Sequence, residues 1–216
     1  MIIVSDVCDT LYFSNTTMDY VFYVLKQEGR KGSLNLIYSI SSKKSPLFYS
    51  LILISKIIKV DLIKVMTVKM LKGISKETLD RYAQSFVKEE LSGRKIEKTF
   101  SLLNQFSGAR WILLSSSLDP VVSAVAATLK SEYASSQLEY KQGICTGKLI
   151  FEMKGKKHEV LEDKFGTFSE ELLVISDNIS DRELILKADK RYAVVYKDKF
   201  KSFWKKMNAT IIEVHE

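Results

Sequence analysis

The sequence predicts an α/β protein: a doubly wound parallel sheet into which an all-helical segment is inserted. Three observations carry this expectation. Short apolar runs rich in β-branched or large residues (IIV at 2–4, WILL at 111–114, LLVIS at 172–176) have the length of strands buried on both faces. Helical patterns follow these runs, and strand–helix alternation marks a parallel sheet. Between the first run and the second, from 34 to about 106, apolar spacing is helical without convincing period-two alternation. The expected division is 1–14 with 108–216 for the α/β core, and 15–107 for the helical domain. Because the insert begins directly after the first strand, it should sit over the sheet's rim, where open α/β sheets bind ligands.

Each element has a local reason. Asn15 or Thr16 can cap a helix over 18–27, whose apolar face is Tyr20, Val21, Tyr23 and Val24, and 29–32 breaks it. Pro46 can open a helix at its first position. Ser75-Lys-Glu-Thr is a start signal ahead of Leu79, Tyr82, Ala83 and Phe86, spaced by three and four. Gly93 should end that helix, and 96–106 carries another. After WILL come three serines, then Asp119 as N-cap and Pro120 at the first helical position of a helix over 121–129. Stretches 137–140 and 144–150 read as a hairpin with Gly143 and Gly147 at turns. A helix at 157–165, the strand 172–176 ending at Asp177, and a helix at about 180–187 follow. Strand 192–195, helix 199–207 and strand 210–214 complete the pattern.

Composition bounds the function. A chain of 216 residues with 46% apolar and 27% charged content can bury a sizeable core. The net charge of +7, from 33 basic and 26 acidic residues, suits an anionic partner. Lysines are spread along the chain instead of forming one block, so no nucleic-acid partner is expected. Cys8 and Cys145 form no CxxC pair, which argues against a disulfide framework and for a reducing compartment. Only His158 and His215 could complete a zinc site, so structural zinc is not expected. No secretory leader is visible, so a cytoplasmic location is expected, with no glycan at Asn15, Asn178 or Asn208. The charge-free stretch 45–55 is too short to span a bilayer, which takes about 20 residues. Stretch 34–66 mixes Lys43, Lys44, Lys56, Lys59 and Lys64 with large apolar residues. That pattern fits a helix that buries one face and solvates the other, the commoner case, and also a basic helix lying on anionic lipid. Nothing in the sequence speaks to an oligomeric state or singles out one substrate.

Three strand ends present Asp6, Ser115 and Asp177 to one rim, and Asp181 lies four residues beyond Asp177. A carboxylate at the lip of a buried strand is costly to desolvate unless a cation or hydrogen-bond donors meet it, although Asp6 alone could simply cap a turn. Carboxylates with a hydroxyl and a nearby lysine make an oxygen-rich site suited to Mg²⁺ and not to zinc. Such a site also takes phosphate, which metal, lysine and helix N-terminal amides together neutralise.

In order and spacing these stretches resemble the haloacid dehalogenase superfamily of aspartate-nucleophile phosphotransferases, and within it the phosphoserine-phosphatase-like subgroup. The similar stretches are SDVCDTL at 5–11, ILLSSS at 112–117, GKKHEVL at 155–161 and VISDNISD at 174–181. LKGISKETLDRYAQSFV at 71–87 resembles that subgroup's helical cap, and the likeness covers nearly the whole chain. It implies a Rossmann-like core and a Mg²⁺-dependent hydrolase, a phosphomonoesterase acting on a small phosphorylated metabolite. Asp6 would be the nucleophile and a metal ligand, the main-chain oxygen of Cys8 a second ligand and Asp177 a third. Asp181 would orient metal-bound water. Ser115, with Ser116 beside it, would bind phosphoryl oxygens, and Lys157 would neutralise charge. Lys157 is preferred to Lys156 because Leu161 then falls four residues later on the same helix. The departure is at Cys8, where phosphatases of this family carry a second Asp as general acid and base. Asp9, the nearest carboxylate, is one residue late. A slow or inactive relative that binds phosphate as a regulatory module therefore stays open, as does a hydrolase that attacks carbon, against which the cap resemblance speaks.

Overall fold

The structure, a computed structural model, describes residues 1–214, so His215 lies outside the described residues. Among them, seven strands form one sheet in the order β4-β3-β2-β1-β5-β6-β7. The strands are β1 (Ile2–Ser5), β2 (Arg110–Leu118), β3 (Glu132–Lys141), β4 (Ile144–Phe151), β5 (Leu172–Ser176), β6 (Lys190–Val195) and β7 (Thr210–Glu213). All neighbours pair in parallel except β3 and β4, which form an antiparallel hairpin. From β1 the chain winds outward through β2 and β3, then returns to β5 on the other side of β1 and winds outward again. The order therefore reverses between β1 and β5, and open α/β sheets bind ligands at such a switch point.

Helices cover both faces. On one side α8 (Lys157–Phe165), α9 (Arg182–Leu186) and α10 (Lys201–Lys206) bring Leu161, Leu184, Ile185 and the fully buried Trp204 against Ile2, Val4, Ile112, Leu114 and Val174. Alternate residues of the same strands (Ile3, Leu113, Leu173 and Ile175) face the other side and α7 (Asp119–Leu129). This period-two split is what a strand between two helical layers requires.

Six helices lie between β1 and β2: α1 (Thr16–Gln27), α2 (Lys31–Ser41), α3 (Pro46–Ile58), α4 (Leu62–Lys69), α5 (Lys76–Phe86) and α6 (Glu97–Leu103). The expected start signals are present. The Asn15 side chain accepts the Met18 N–H, Pro46 opens α3, and the Ser75 hydroxyl accepts the Thr78 N–H. The run of α5 continues as a π turn (Val87–Leu91) and a 3₁₀ turn (Ser92–Arg94), so Gly93 does not end it: helical backbone passes through Gly93 and stops where Lys95 turns extended. Tyr20, Leu79, Phe86 and Leu103 join the same apolar cluster as the sheet residues Ile3 and Leu113.

Two further local expectations need correction. Asp119 does not cap α7: its carboxylate accepts the Leu138 N–H at 2.8 Å, tying the helix start to β3. Gly143 is at the hairpin turn, but Gly147 lies inside β4 with φ +77°, where an added Cβ would come within 3.0 Å of the Lys72 side chain. In α3 the less exposed residues, Phe48, Leu51, Ile52 and Ser55, share one face, of which only Leu51 is buried.

Candidate active site

β1 is short because its next residue is needed elsewhere. Hydrogen bonding to the ladder reaches Asp6, whose N–H meets the Ile175 carbonyl, and the chain then turns, with the Leu11 and Tyr12 N–H groups donating to the Val7 carbonyl. The turn buries Val7, Thr10 and Leu11 and leaves Asp6 only 6% exposed. One Asp6 oxygen accepts the Val7 N–H at 2.6 Å and the other accepts the Lys157 ammonium at 2.6 Å. Lys157, 3% exposed at the start of α8, reaches Asp181 at the same distance. Lys156 instead lies over the Phe151 ring. Asp181 also accepts the Ser176 hydroxyl at 2.5 Å, and the lysine links it to Asp6.

The serine segment is shaped by an irregularity in β2. Pairing with β3 runs Ser115 with Ser135 and then Leu118 with Ser136, so Ser116 and Ser117 have no partners in the ladder. Such a bulge re-aims residues at a sheet rim. Ser115 is fully buried, its oxygen accepting the Ser117 N–H at 3.2 Å, and Ser117 shares a hydrogen bond with Thr16. All three serines line a pocket of about 270 Å³, together with Asp6, Cys8, Asp9 and Asp177.

The electrostatics of that pocket are unbalanced. Asp6 and Asp181 share the one buried ammonium of Lys157, and Asp9 and Asp177 add two further carboxylates to the pocket wall beside Asp6. Burial pushes Asp6 above the usual carboxylate range despite the pull of Lys157. Burial, reinforced by Asp6 and Asp9, pushes Asp177 up to about 8. Burial disfavours the charge on Lys157, yet Asp6 and Asp181 outweigh it and hold its pKa above the ordinary lysine value. Like-charged carboxylates that raise one another's pKa form a set suited to a cation. Among the described residues no three His, Cys, Asp or Glu side chains converge closely enough to hold a metal by themselves. Asp6 and Asp177 on one pocket wall, with most positions left to water and phosphate, nevertheless fit Mg²⁺, which keeps several waters and seldom takes an all-protein cage. The residues fit the metal on that ground.

Cys8 lines the pocket, but its thiol donates to the Ser14 carbonyl at 3.0 Å. Burial, then the charges of Asp9, Asp6 and Asp177, raise its pKa well above the usual thiol value. Asp9 takes a left-handed backbone (φ +49°), and its carbonyl accepts the Tyr196 hydroxyl at 2.8 Å.

Two residues at the site have no role in the sequence reading. Thr10 donates to an Asp177 oxygen at 3.0 Å and accepts the Asp177 N–H at 3.1 Å, joining the two strand ends. Its position within the stretch SDVCDTL was the available signal. Lys64 of α4 donates to the Ser116 carbonyl at 2.6 Å, to Ser136 and to Glu152, reaching from the inserted helices across the pocket wall. It reads in the sequence as one more solvated lysine, and nothing local distinguishes it.

Comparison with known proteins adds to this geometry. No curated protein matches the chain. Among solved structures, a Bordetella pertussis Tohama I protein of unknown function is similar with a TM-score of 0.75 at 14% identity, over 98% of this chain and 97% of that one. A phosphoserine phosphatase in its apo form aligns with a TM-score of 0.54 at 19% identity, over 97% and 91%. Cytosolic 5'-nucleotidase IIIB bound to cytidine aligns with a TM-score of 0.62 at 15% identity, over 100% and 80%. Identities this low carry the fold alone. The family model for haloacid dehalogenase-like hydrolases matches residues 3–185. A match over that much of the sequence makes the chain a member of the haloacid dehalogenase-like hydrolase family.

Proposed function

We propose that the protein is a Mg²⁺-dependent phosphomonoesterase for a small phosphorylated substrate, working through an aspartyl-phosphate on Asp6. The observation that carries this reading is Asp6 itself: a buried carboxylate at the switch point, oriented by the Lys157 ammonium and the Val7 N–H, on the wall of a pocket shared with Asp177 and Ser115. An Asp6 oxygen would attack phosphorus as the bond to the leaving alcohol breaks, and the alkoxide would take up a proton. Water would then attack the phosphorus, returning the Asp6 carboxylate and releasing inorganic phosphate. Asp6, the Cys8 carbonyl and Asp177 would hold Mg²⁺, which supplies Lewis-acid charge to a phosphoryl oxygen. Lys157 works against the burial that raises Asp6 and offsets phosphate charge, Asp181, itself held by Ser176, fixes Lys157, and Ser115 and Ser116 receive phosphoryl oxygens. We assign 15–107 the part of a cap over this pocket, with Lys64 and Thr16 as its contacts to the serine segment.

The test is turnover of an aryl phosphate, whose leaving group needs little proton donation. Wild type should hydrolyse it only with Mg²⁺, and Asp6→Asn and Asp177→Asn should each lose at least about 10³-fold. Turnover that survives Asp6→Asn removes the reading. A second reading is favoured by Cys8, whose thiol faces the Ser14 carbonyl and is a poor acid. A chain lacking the general acid could bind phosphate, or remain phosphorylated, with little turnover of alkyl esters.

A further inference from the structure

The lysines are spread along the chain, but the acidic residues that offset them are not. Residues 30–72 hold nine Lys and Arg against the single Asp61, a net +8 that exceeds the +7 of the whole protein. The same segment carries the greater part of the exposed large apolar side chains. Ile57 is 72% exposed and Leu53 63%, with Tyr38, Tyr49, Ile58 and Val65 also open to solvent. They belong to α2, α3 and α4, and α3 is apolar round most of its circumference although only Leu51 is buried. A helix of that composition is ordinarily covered by something.

We propose that this face docks on an anionic lipid bilayer, with the α3 side chains entering the headgroup boundary and the surrounding lysines meeting lipid phosphates. Charge complementarity selects this occupant. A second copy would set one strongly basic segment against another, with only Asp61 on each side to offset it. Lys43, Lys44, Lys56 and Lys59 are exposed and make no ion pair among the described residues, so they remain available. Each lysine near an anionic surface adds about 1 kcal/mol. The face also borders the candidate active site. A groove of about 670 Å³ between α3 and α4, lined by Ile52, Lys56 and Val60, shares Asp61, Ile63, Lys64 and Lys154 with the catalytic pocket. Docking does not depend on the proposed phosphatase chemistry. No helix among the described residues is long and apolar enough to cross a membrane, so attachment is to the surface.

The experiment is co-sedimentation of the full chain with phosphatidylcholine vesicles, with and without phosphatidylserine, at low and high salt. Wild type should sediment with the anionic vesicles at low salt and bind about tenfold or more weakly to phosphatidylcholine alone or at high salt. Leu53→Glu with Ile57→Glu should weaken binding by about tenfold or more while leaving the thermal melt in place, since both side chains are exposed. In a separate variant, Ile57→Trp, the added indole emission should shift to the blue on anionic vesicles. Absence of sedimentation at low salt, binding indifferent to the double substitution, or an unshifted indole overturns the proposal. So does a dimer without lipid that the double substitution dissociates, which would assign the face to a second copy.

Discussion

At the scale of single residues, the site turns on the atom that Cys8 lacks. A carboxylic acid two residues after Asp6 would protonate the leaving alkoxide, and general acid–base help is worth about 10²–10⁴ in rate. The thiol instead points to the Ser14 carbonyl with its pKa raised by burial and by three neighbouring carboxylates. Cys8→Asp should therefore raise turnover of an alkyl phosphate by about 10²-fold or more, and change an aryl phosphate little. Steady-state rates on the two esters check this, and an unchanged alkyl rate would mean that Asp9 or water already supplies the proton. Asp177 gives a pH prediction. Its carboxyl is raised to about 8 in the folded chain, so the folded state holds a proton that the unfolded state loses near pH 4. Between these values the native state binds more protons, and stability falls as pH rises. Metal-free protein should melt at lower temperature at pH 8 than at pH 5 on this account, and added Mg²⁺ should raise the melting temperature more at pH 8. Equal stabilisation by Mg²⁺ at both values would place the ion away from Asp177.

At the scale of elements, strands and caps were legible because their causes are local. LLVIS is a fully buried strand with the bounds its composition suggests, and Asn15, Pro46 and Ser75 open their helices as short-range chemistry dictates. Asp119 was misread because its partner, the Leu138 N–H, comes from a strand the capping signal cannot see. The bulge at Ser116 and Ser117 was invisible for the same reason, since it exists only in pairing with β3. The hairpin edge offers a test of such long-range constraint. Gly143 and Gly147 share φ +77°, but only Gly147 is crowded, by Lys69 and Lys72. There the outer strand β4 is also bonded to the α4–α5 connection, through Gly73 N–H to the Cys145 carbonyl and Cys145 N–H to the Ile74 carbonyl. Gly143→Ala should cost about 1 kcal/mol from backbone strain alone, and Gly147→Ala about 2–3 kcal/mol. Urea denaturation of both variants measures the difference, and equal costs would mean that the close approach is readily relaxed.

At the scale of the whole molecule, the arrangement rests on a sheet whose winding reverses between β1 and β5. That reversal brings Asp6 and Asp177, 171 positions apart in the sequence, to one crevice, where Thr10 joins them. The four resembling stretches made this convergence legible from the sequence, whereas the contacts of Lys64 with Ser116, Ser136 and Glu152 needed the helices to be docked first. The docking is firm, because one apolar cluster runs from Ile3 and Leu113 through Tyr20 to Phe86 and Leu103. The central claim is that Asp6 takes the phosphoryl group, and the most direct measurement is mass spectrometry of the chain after rapid acid quench during turnover of a phosphomonoester with Mg²⁺. The account predicts a gain of one HPO₃ on the peptide containing Asp6, lost without Mg²⁺ and lost in Asp6→Asn. Phosphate release with no adduct on that peptide, or an adduct on another residue, would contradict it.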